Sequence, residues 1–180
     1  NGNKEASEMS ASRPKRLPKH HPAGHFPRML HHFLVKEDEA NPDNMDVSSA
    51  LKKAFAHFDG GYHVSGLIGN GDSFLVRDAH GIRPAYYYIN KEVIVAASER
   101  AAIRTSFNVG ENEVKELMPG FGLLIDAEGN YKIEQIMEAK ERKACSFERI
   151  YFSRGSDEKI YKERKALGRY LSEPVLKAVD

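Results

Sequence analysis

Hydrophobic and polar positions settle into regular periods only from Val47 onward. Val47, Leu51, Ala54, Phe55 and Phe58 recur at helical spacing, with Asp46 or Ser48 as candidate caps, and predict a helix that Gly60-Gly61 ends. β-rich runs then come in pairs. Residues 62–69 and 73–77 flank Asn70-Gly71, 84–89 and 92–97 flank Asn90-Lys91, and 121–126 and 131–136 flank Ala127-Glu128-Gly129-Asn130. Each pair reads as an antiparallel hairpin, because Asn and Gly tolerate the positive φ that tight turns need. Residues 98–107 predict a short helix capped by Ser98, with Ala101, Ala102 and Ile103 facing inward. Residues 160–178 have helical spacing at Leu167, Tyr170 and Leu171, with a kink or interruption expected at Pro174. Short strands in hairpins with a few helices imply an α+β, antiparallel fold. Residues 1–46, by contrast, are polar, contain Pro14, Pro18, Pro22, Pro27 and Pro42, and show no sustained period.

Composition narrows the function classes. A chain of 180 residues can bury a sizeable core. Its 41% hydrophobic and 29% charged residues are ordinary for a globular protein. A net charge of +1 gives no overall field that would select nucleic acid or an anionic membrane. No apolar run approaches the roughly 20 residues needed to span a bilayer. The single cysteine, Cys145, excludes an internal disulfide framework and fits a reducing cytoplasm. The chain begins with Asn1, so it is expected to be a piece of something longer.

Three segments carry candidate chemistry. Arg77-Asp78-Ala79-His80-Gly81-Ile82-Arg83-Pro84 joins two strands. Asp78 can accept hydrogen bonds from the turn's own amides, Gly81 permits a backbone shape other residues resist, and Pro84 starts the next strand where no amide donor is needed. A structural turn is the main reading; a direct ligand role for Asp78 or Arg83 is the other. The second segment places His20, His21, His25, His31 and His32 among Arg13, Lys15, Arg16, Lys19 and Arg28. It reads as a solvated or partner-covering segment, against phosphate, nucleic-acid or metal contact, since no cysteine, tight carboxylate or interleaved aromatic accompanies it. Cys145 stands third, in a mainly apolar stretch, as a small buried hydrophobe or as a nucleophile whose base the sequence does not place.

Taken together, Gly60-Gly61-Tyr62, Arg77-Asp78-x-x-Gly81-Ile82-Arg83-Pro84, Val95-Ala96-Ala97-Ser98-Glu99 and Glu116-Leu117-Met118-Pro119-Gly120 resemble the class II glutamine amidotransferases in order and spacing. Within that superfamily, Cys145-Ser146-Phe147-Glu148-Arg149-Ile150-Tyr151-Phe152-Ser153-Arg154, followed by Ile160-Tyr161-x-x-Arg164-x-x-Leu167-Gly168, is similar to the linker entering the transferase half of the amidophosphoribosyltransferases. The usual Arg-Pro-Asp-Ser of that linker is here Arg154-Gly155-Ser156-Asp157.

The resemblance implies part of an αββα sandwich of the N-terminal-nucleophile hydrolase type, plus a C-terminal linker helix. It divides the chain into a basic, His-rich insertion or linker (1–46), the second half of a glutaminase domain (47–140) and a linker into an absent phosphoribosyltransferase domain (141–180). It implies a longer cytoplasmic protein, homo-oligomeric, that takes glutamine and phosphoribosylpyrophosphate (PRPP) and makes phosphoribosylamine for purine synthesis. Nucleic acid and membrane are not expected partners. The family's nucleophile is an N-terminal cysteine with its own α-amino group as base; Asn1 cannot serve, and Cys145 is not at a matching position. No catalytic residue is therefore expected in this chain, which would be inactive alone. Tyr151 matches a tyrosine at the junction of the two domains and is the domain-coupling candidate. Cys145 matches a position that ligates a [4Fe-4S] cluster in some members; Mg belongs to the transferase site. The alternatives are another class II amidotransferase, of the asparagine synthetase or glucosamine-6-phosphate synthase type, or a non-catalytic regulatory module.

Overall fold

In the computed structural model, residues 22–42 and 45–179 are described, with side chains from Pro27 onward. Helix α1 covers Pro22–Ala40 and helix α2 Val47–Phe55. The helix α1 is a finding the sequence pattern did not predict. Leu30, Phe33 and Leu34 sit on its partly buried side, but the next position on that face is Glu37. Glu37 is buried and receives Lys53 Nζ at 2.9 Å and Asn41 Nδ2 at 3.2 Å, so an ion pair stands where the periodic pattern wanted an apolar residue. Pro27, inside the helix, hid the period further. The cap of α2 is Asp46, whose Oδ1 accepts the Ser49 amide at 3.1 Å. Ala50, Leu51 and Ala54 of α2 are fully buried. Of the histidine-rich cluster, His31 and His32 lie exposed on α1, while His20, His21, Arg13, Lys15, Arg16, Lys19 and the side chain of His25 lie outside the described residues.

The chain divides into two compact units, Asn1–Ala54 and Phe55–Asp180. The second unit is built on two antiparallel sheets. Strands β1 (His63–Leu67), β2 (Ser73–Arg77), β6 (Phe121–Ile125) and β7 (Tyr131–Gln135) form one, in the order β1-β2-β6-β7. Strands β4 (Ile94–Ala97), β3 (Tyr86–Ile89) and the two-residue β5 (Lys115–Glu116) form the other, in the order β4-β3-β5. The three predicted hairpins are β1–β2, β3–β4 and β6–β7. What joins the first hairpin to the third is the β2–β6 ladder, with Leu75 opposite Leu123. The two sheets share one core: Leu75 and Leu123 from the first meet Ala85 and Leu117 beside the second, with Tyr87, Ile89 and Ile94 packed around them.

Helix α3 (Arg100–Phe107) lies on β3 and β4. Its N-cap is Glu99 and not Ser98, and no side chain caps it. Ala101 and Ile103 are buried, but Ala102 points to solvent. Pro84 precedes β3 by two residues; Ala85 intervenes and is buried in the core. A π-helical turn spans Glu148–Phe152, and helix α4 covers Glu158–Val179 with Pro174 inside it, so the proline does not interrupt it. That proline withholds one amide from the Tyr170 carbonyl, on a helix whose Tyr170 and Leu171 are exposed, so solvent is at hand where the bond is missing. No helix among the described residues is long and apolar enough to cross a membrane.

One backbone constraint in this unit is testable at once. Gly120 has φ +77°, and a Cβ there would lie 2.5 Å from the Met137 carbonyl oxygen. Its own carbonyl accepts the amides of Ile136 and Met137 at 2.9 and 3.1 Å, so neither side can retreat. Gly120→Ala is expected to lower stability by about 1–3 kcal/mol in urea unfolding; an unchanged midpoint would show that this corner yields.

Candidate functional site

The segment between β2 and β3 is built from two buried charges in sequence. Asp78 is fully buried, and its carboxylate accepts the amides of His80 and Ile82 on Oδ1, each at 3.0 Å, and of Arg83 on Oδ2 at 3.2 Å. Arg77, 2% exposed, projects the other way. Its guanidinium donates to the carbonyls of Arg83 at 2.8 Å and Gly81 at 3.0 Å, to the Leu117 carbonyl, and to Glu116 Oε1 at 2.9 Å. Gly81 takes φ +58° between these groups, and a Cβ there would meet Pro119 Cγ at 2.8 Å. A carboxylate can serve several amides and a guanidinium several carbonyls, which is why this pair tolerates burial.

The remaining carbonyls of the turn point outward and are taken by a second stretch of chain. Lys140 donates its amide to Ala79 O at 2.8 Å, Lys143 to His80 O at 2.9 Å, and Cys145 to Ile82 O at 3.3 Å. The Asp78 carbonyl accepts the amides of Gly81 and Gly120. Every carbonyl from residue 78 to 83 thus has a donor, and half of these positions are satisfied by the 140–145 strap. His80 Nδ1 adds a contact to the Glu141 carbonyl at 2.8 Å, and Arg142 reaches Glu116 Oε1 at 2.7 Å, on the carboxylate that Arg77 also uses. Beyond the strap, Arg83 is ion-paired with Glu148 at the start of the π-helical turn, and its guanidinium lies 5.6 Å from the Phe152 ring centre at the other end.

A cavity of about 90 Å³ opens between the turn, the strap and the start of α3, and Arg77, Pro84, Arg100, Glu116, Cys145 and Glu148 are among the residues that line it. Its rim is laced by ion pairs: Arg100 and Lys159 share Glu111 at 3.0 and 3.3 Å, and Arg154 faces Glu99 at 3.5 Å. The more exposed of these pairs hold the surface weakly. Tyr62, whose carbonyl accepts the Asp78 amide, has its phenol pushed up to about 12, first by burial and then by the charges of Asp78 and Asp59, so it stays protonated beside the turn.

Sequence reasoning named Asp78, Gly81, Arg83 and Pro84 for one turn, and the structure brings all four together with Cys145. It assigned no role to Arg77, Glu116, Arg142 or Glu148. The signal that was available is the charge of Arg77 at the end of Phe74-Leu75-Val76, since a charge in an otherwise buried strand requires partners. Tyr151 is 77% exposed. Cys145 is partly buried and carries a free thiol. Among the described residues no group of three or more His, Cys, Asp or Glu is placed to hold a metal. Toward a cluster held by four thiolates this chain would supply Cys145 alone.

His63 gives a pH prediction. Its pKa is held below the ordinary histidine value, chiefly by burial and then by the Arg83 charge, with Glu148, Arg77 and Asp78 also facing it. A depressed histidine pKa means the unfolded chain takes up protons first, so the contribution is present above about pH 6.5 and lost as pH falls. His63→Gln is expected to flatten the loss of stability between about pH 7 and 5. An unchanged slope would assign that loss to other groups.

No protein-family model matches the chain. Relatives do. The amidophosphoribosyltransferase of Pasteurella multocida is 30% identical over 142 residues, covering 74% of this chain and 27% of that protein. Those of Pseudomonas aeruginosa and Bacillus subtilis are 26% and 29% identical over 154 and 153 residues, covering 81% and 83% of this chain. The chain spans 27–30% of the length of these relatives. Among solved structures, one described as the allosteric regulatory enzyme of purine biosynthesis superposes with a TM-score of 0.53 at 27% identity, over 69% of this chain and 25% of that one. The glutamine PRPP amidotransferase of B. subtilis, solved with ADP and GMP, superposes with a TM-score of 0.52 over 73% of this chain and 30% of that one; at 23% identity it speaks for the fold alone. In sequence and in fold, the chain is a relative of the amidophosphoribosyltransferases, matched to one stretch of them.

Proposed function

We propose that this chain is the second half of the glutaminase domain, with its exit linker, of a glutamine-dependent amidophosphoribosyltransferase. In the reaction, water cleaves the glutamine side-chain amide to give glutamate and ammonia. Ammonia then forms a bond to C1 of PRPP as the C1–O bond to pyrophosphate breaks, giving 5-phosphoribosylamine, the first committed step of purine synthesis. The observation that carries the reading is that two of the family-like strings, 77–84 and 145–154, meet through the Cys145 amide on the Ile82 carbonyl and the Arg83–Glu148 ion pair. Two face-to-face sheets with α3 outside one of them are also what an αββα N-terminal-nucleophile hydrolase requires.

In this reading the residues in hand position and do not react. Arg77 and Asp78 fix the turn, the strap crosses it, and Tyr151 stands on the outside of the π-helical turn with its phenol free for a partner domain. The 180-residue chain is expected to release no glutamate from glutamine; release that survives repurification would overturn the assignment of the nucleophile elsewhere. The longer cytoplasmic, homo-oligomeric protein, supplied with Mg, is expected to release pyrophosphate from PRPP only when glutamine or ammonia is present. Pyrophosphate release that is indifferent to both would remove the reading. In that longer protein, Tyr151→Phe is expected to weaken stimulation of glutaminase by PRPP about tenfold, the worth of one hydrogen bond between the sites, and an unchanged stimulation would free Tyr151 from the role.

A further inference from the structure

We infer that Arg83 is a positioning residue: a clamp that holds the π-helical turn Glu148–Phe152 on the turn of residues 78–84, and so sets where Tyr151 is presented. This goes beyond the activity proposed above and can be measured without it.

The base of the clamp is rigid because both backbone groups of Arg83 are held by buried charges. Its amide donates to Asp78 Oδ2 at 3.2 Å, and its carbonyl accepts Arg77 Nε at 2.8 Å. Asp78 and Arg77 are 0% and 2% exposed. From that base one guanidinium reaches both ends of the π-helical turn. It pairs with Glu148, which is 8% exposed, and stacks toward the Phe152 ring at 5.6 Å. A π-helical turn is rare outside a longer α-helix, and this one leans on partners outside itself.

The rest of the turn is tied to itself and to α4, whose Glu163 pairs with Arg149. Ser153 donates to the Glu148 carbonyl through its amide at 2.7 Å, and Arg164 from α4 donates to the Ser153 and Ile150 carbonyls. Phe147, Ile150 and Tyr151 are 67%, 62% and 77% exposed, so apolar burial does not hold the segment down. Tyr151 packs edge-on against Phe152 at 5.2 Å and 87°. The line of contact therefore runs from Asp78 and Arg77 through Arg83 to Phe152 and Tyr151. A planar guanidinium suits this double duty, carboxylate on one side and ring on the other, better than a lysine ammonium.

The test is amide hydrogen exchange, residue by residue, on this chain and three variants. In Arg83→Gln and in Glu148→Gln, exchange at Cys145 and Ser153 should accelerate about tenfold or more, while Leu75 and Leu123 in the central ladder keep their rates. The charge-exchanged double variant, Arg83→Glu with Glu148→Arg, should recover part of the lost protection at Cys145 and Ser153, which a purely steric role would not. Unchanged exchange at Cys145 and Ser153 in both single variants would overturn the clamp. So would a uniform acceleration that includes Leu75 and Leu123, which would make Arg83 a general stability residue. Because no glutamine or PRPP enters the experiment, its failure and the failure of the proposed activity are separate results.

Discussion

Replacing Arg77 with alanine is expected to lower the stability of the second unit by about 3–5 kcal/mol, the usual result of removing one member of a buried charged network. The guanidinium is the donor for the carbonyls of Gly81, Arg83 and Leu117 and for Glu116, and none of the four has an equal substitute inside the turn. Loss of Arg77 would strip three buried carbonyls of a partner and leave Glu116 with Arg142 at a more exposed site. Arg77→Lys should recover only a small part, because a single ammonium cannot span the fork that Nε, Nη1 and Nη2 fill. On a domain of ordinary stability this is a fall in Tm on the order of 10–20 °C. Urea unfolding of wild type, alanine and lysine variants measures it. A loss under about 1 kcal/mol for the alanine variant would mean water enters the turn and replaces the guanidinium.

Asp78 should show the second largest effect, and a graded one. Asp78→Ala removes the acceptor of three amides at once, for about 3 kcal/mol or more, since hydrogen bonds to a charged group are worth roughly 1.5–3 kcal/mol each and the amides left behind are buried. Asp78→Asn keeps Oδ1 and its bonds to His80 and Ile82, but turns the second oxygen into an NH2 that faces the Arg83 amide. Donor against donor opens only that bond. The asparagine variant should therefore lose about half of what the alanine variant loses, and its exchange should rise at Arg83 before His80. Equal losses in the two variants would show that the charge, and not the count of acceptors, holds the turn.

Much of the fold was legible because side chains announce it. The three hairpins were readable from turn chemistry: Asn90 Oδ1 accepts the amides of Glu92 and Val93, and Asp126 Oδ1 those of Glu128 and Asn130. Turns of that kind are local, so a sequence of five residues contains them. The β2–β6 ladder was not legible, because any apolar strand can pair with another and the choice is made by the whole core. The strap was illegible for a different reason. Its bonds to residues 79, 80 and 82 are backbone to backbone, and Lys140, Lys143 and Cys145 donate through amides that every non-proline residue has.

The candidate site divides the same way. Asp78 and Gly81 are visible as turn residues, since their roles depend on their own few neighbours. Arg83 is visible as a charge but not as a clamp, because Glu148 lies far away in the chain. Glu116 gathers Arg77 and Arg142 from separate parts of the chain, and no pattern in the sequence pairs them. Helix α4 was expected from its spacing, but Leu167, Tyr170 and Leu171 face solvent in this chain. An apolar face that period alone identifies carries no statement about what covers it.

The most direct test of the central claim is glutamate release by the longer natural protein, measured with and without phosphoribosylpyrophosphate. Strong stimulation by phosphoribosylpyrophosphate is the predicted result. Release that ignores phosphoribosylpyrophosphate would contradict the claim in favour of another class II amidotransferase, and no release from the folded protein would contradict it in favour of a non-catalytic module.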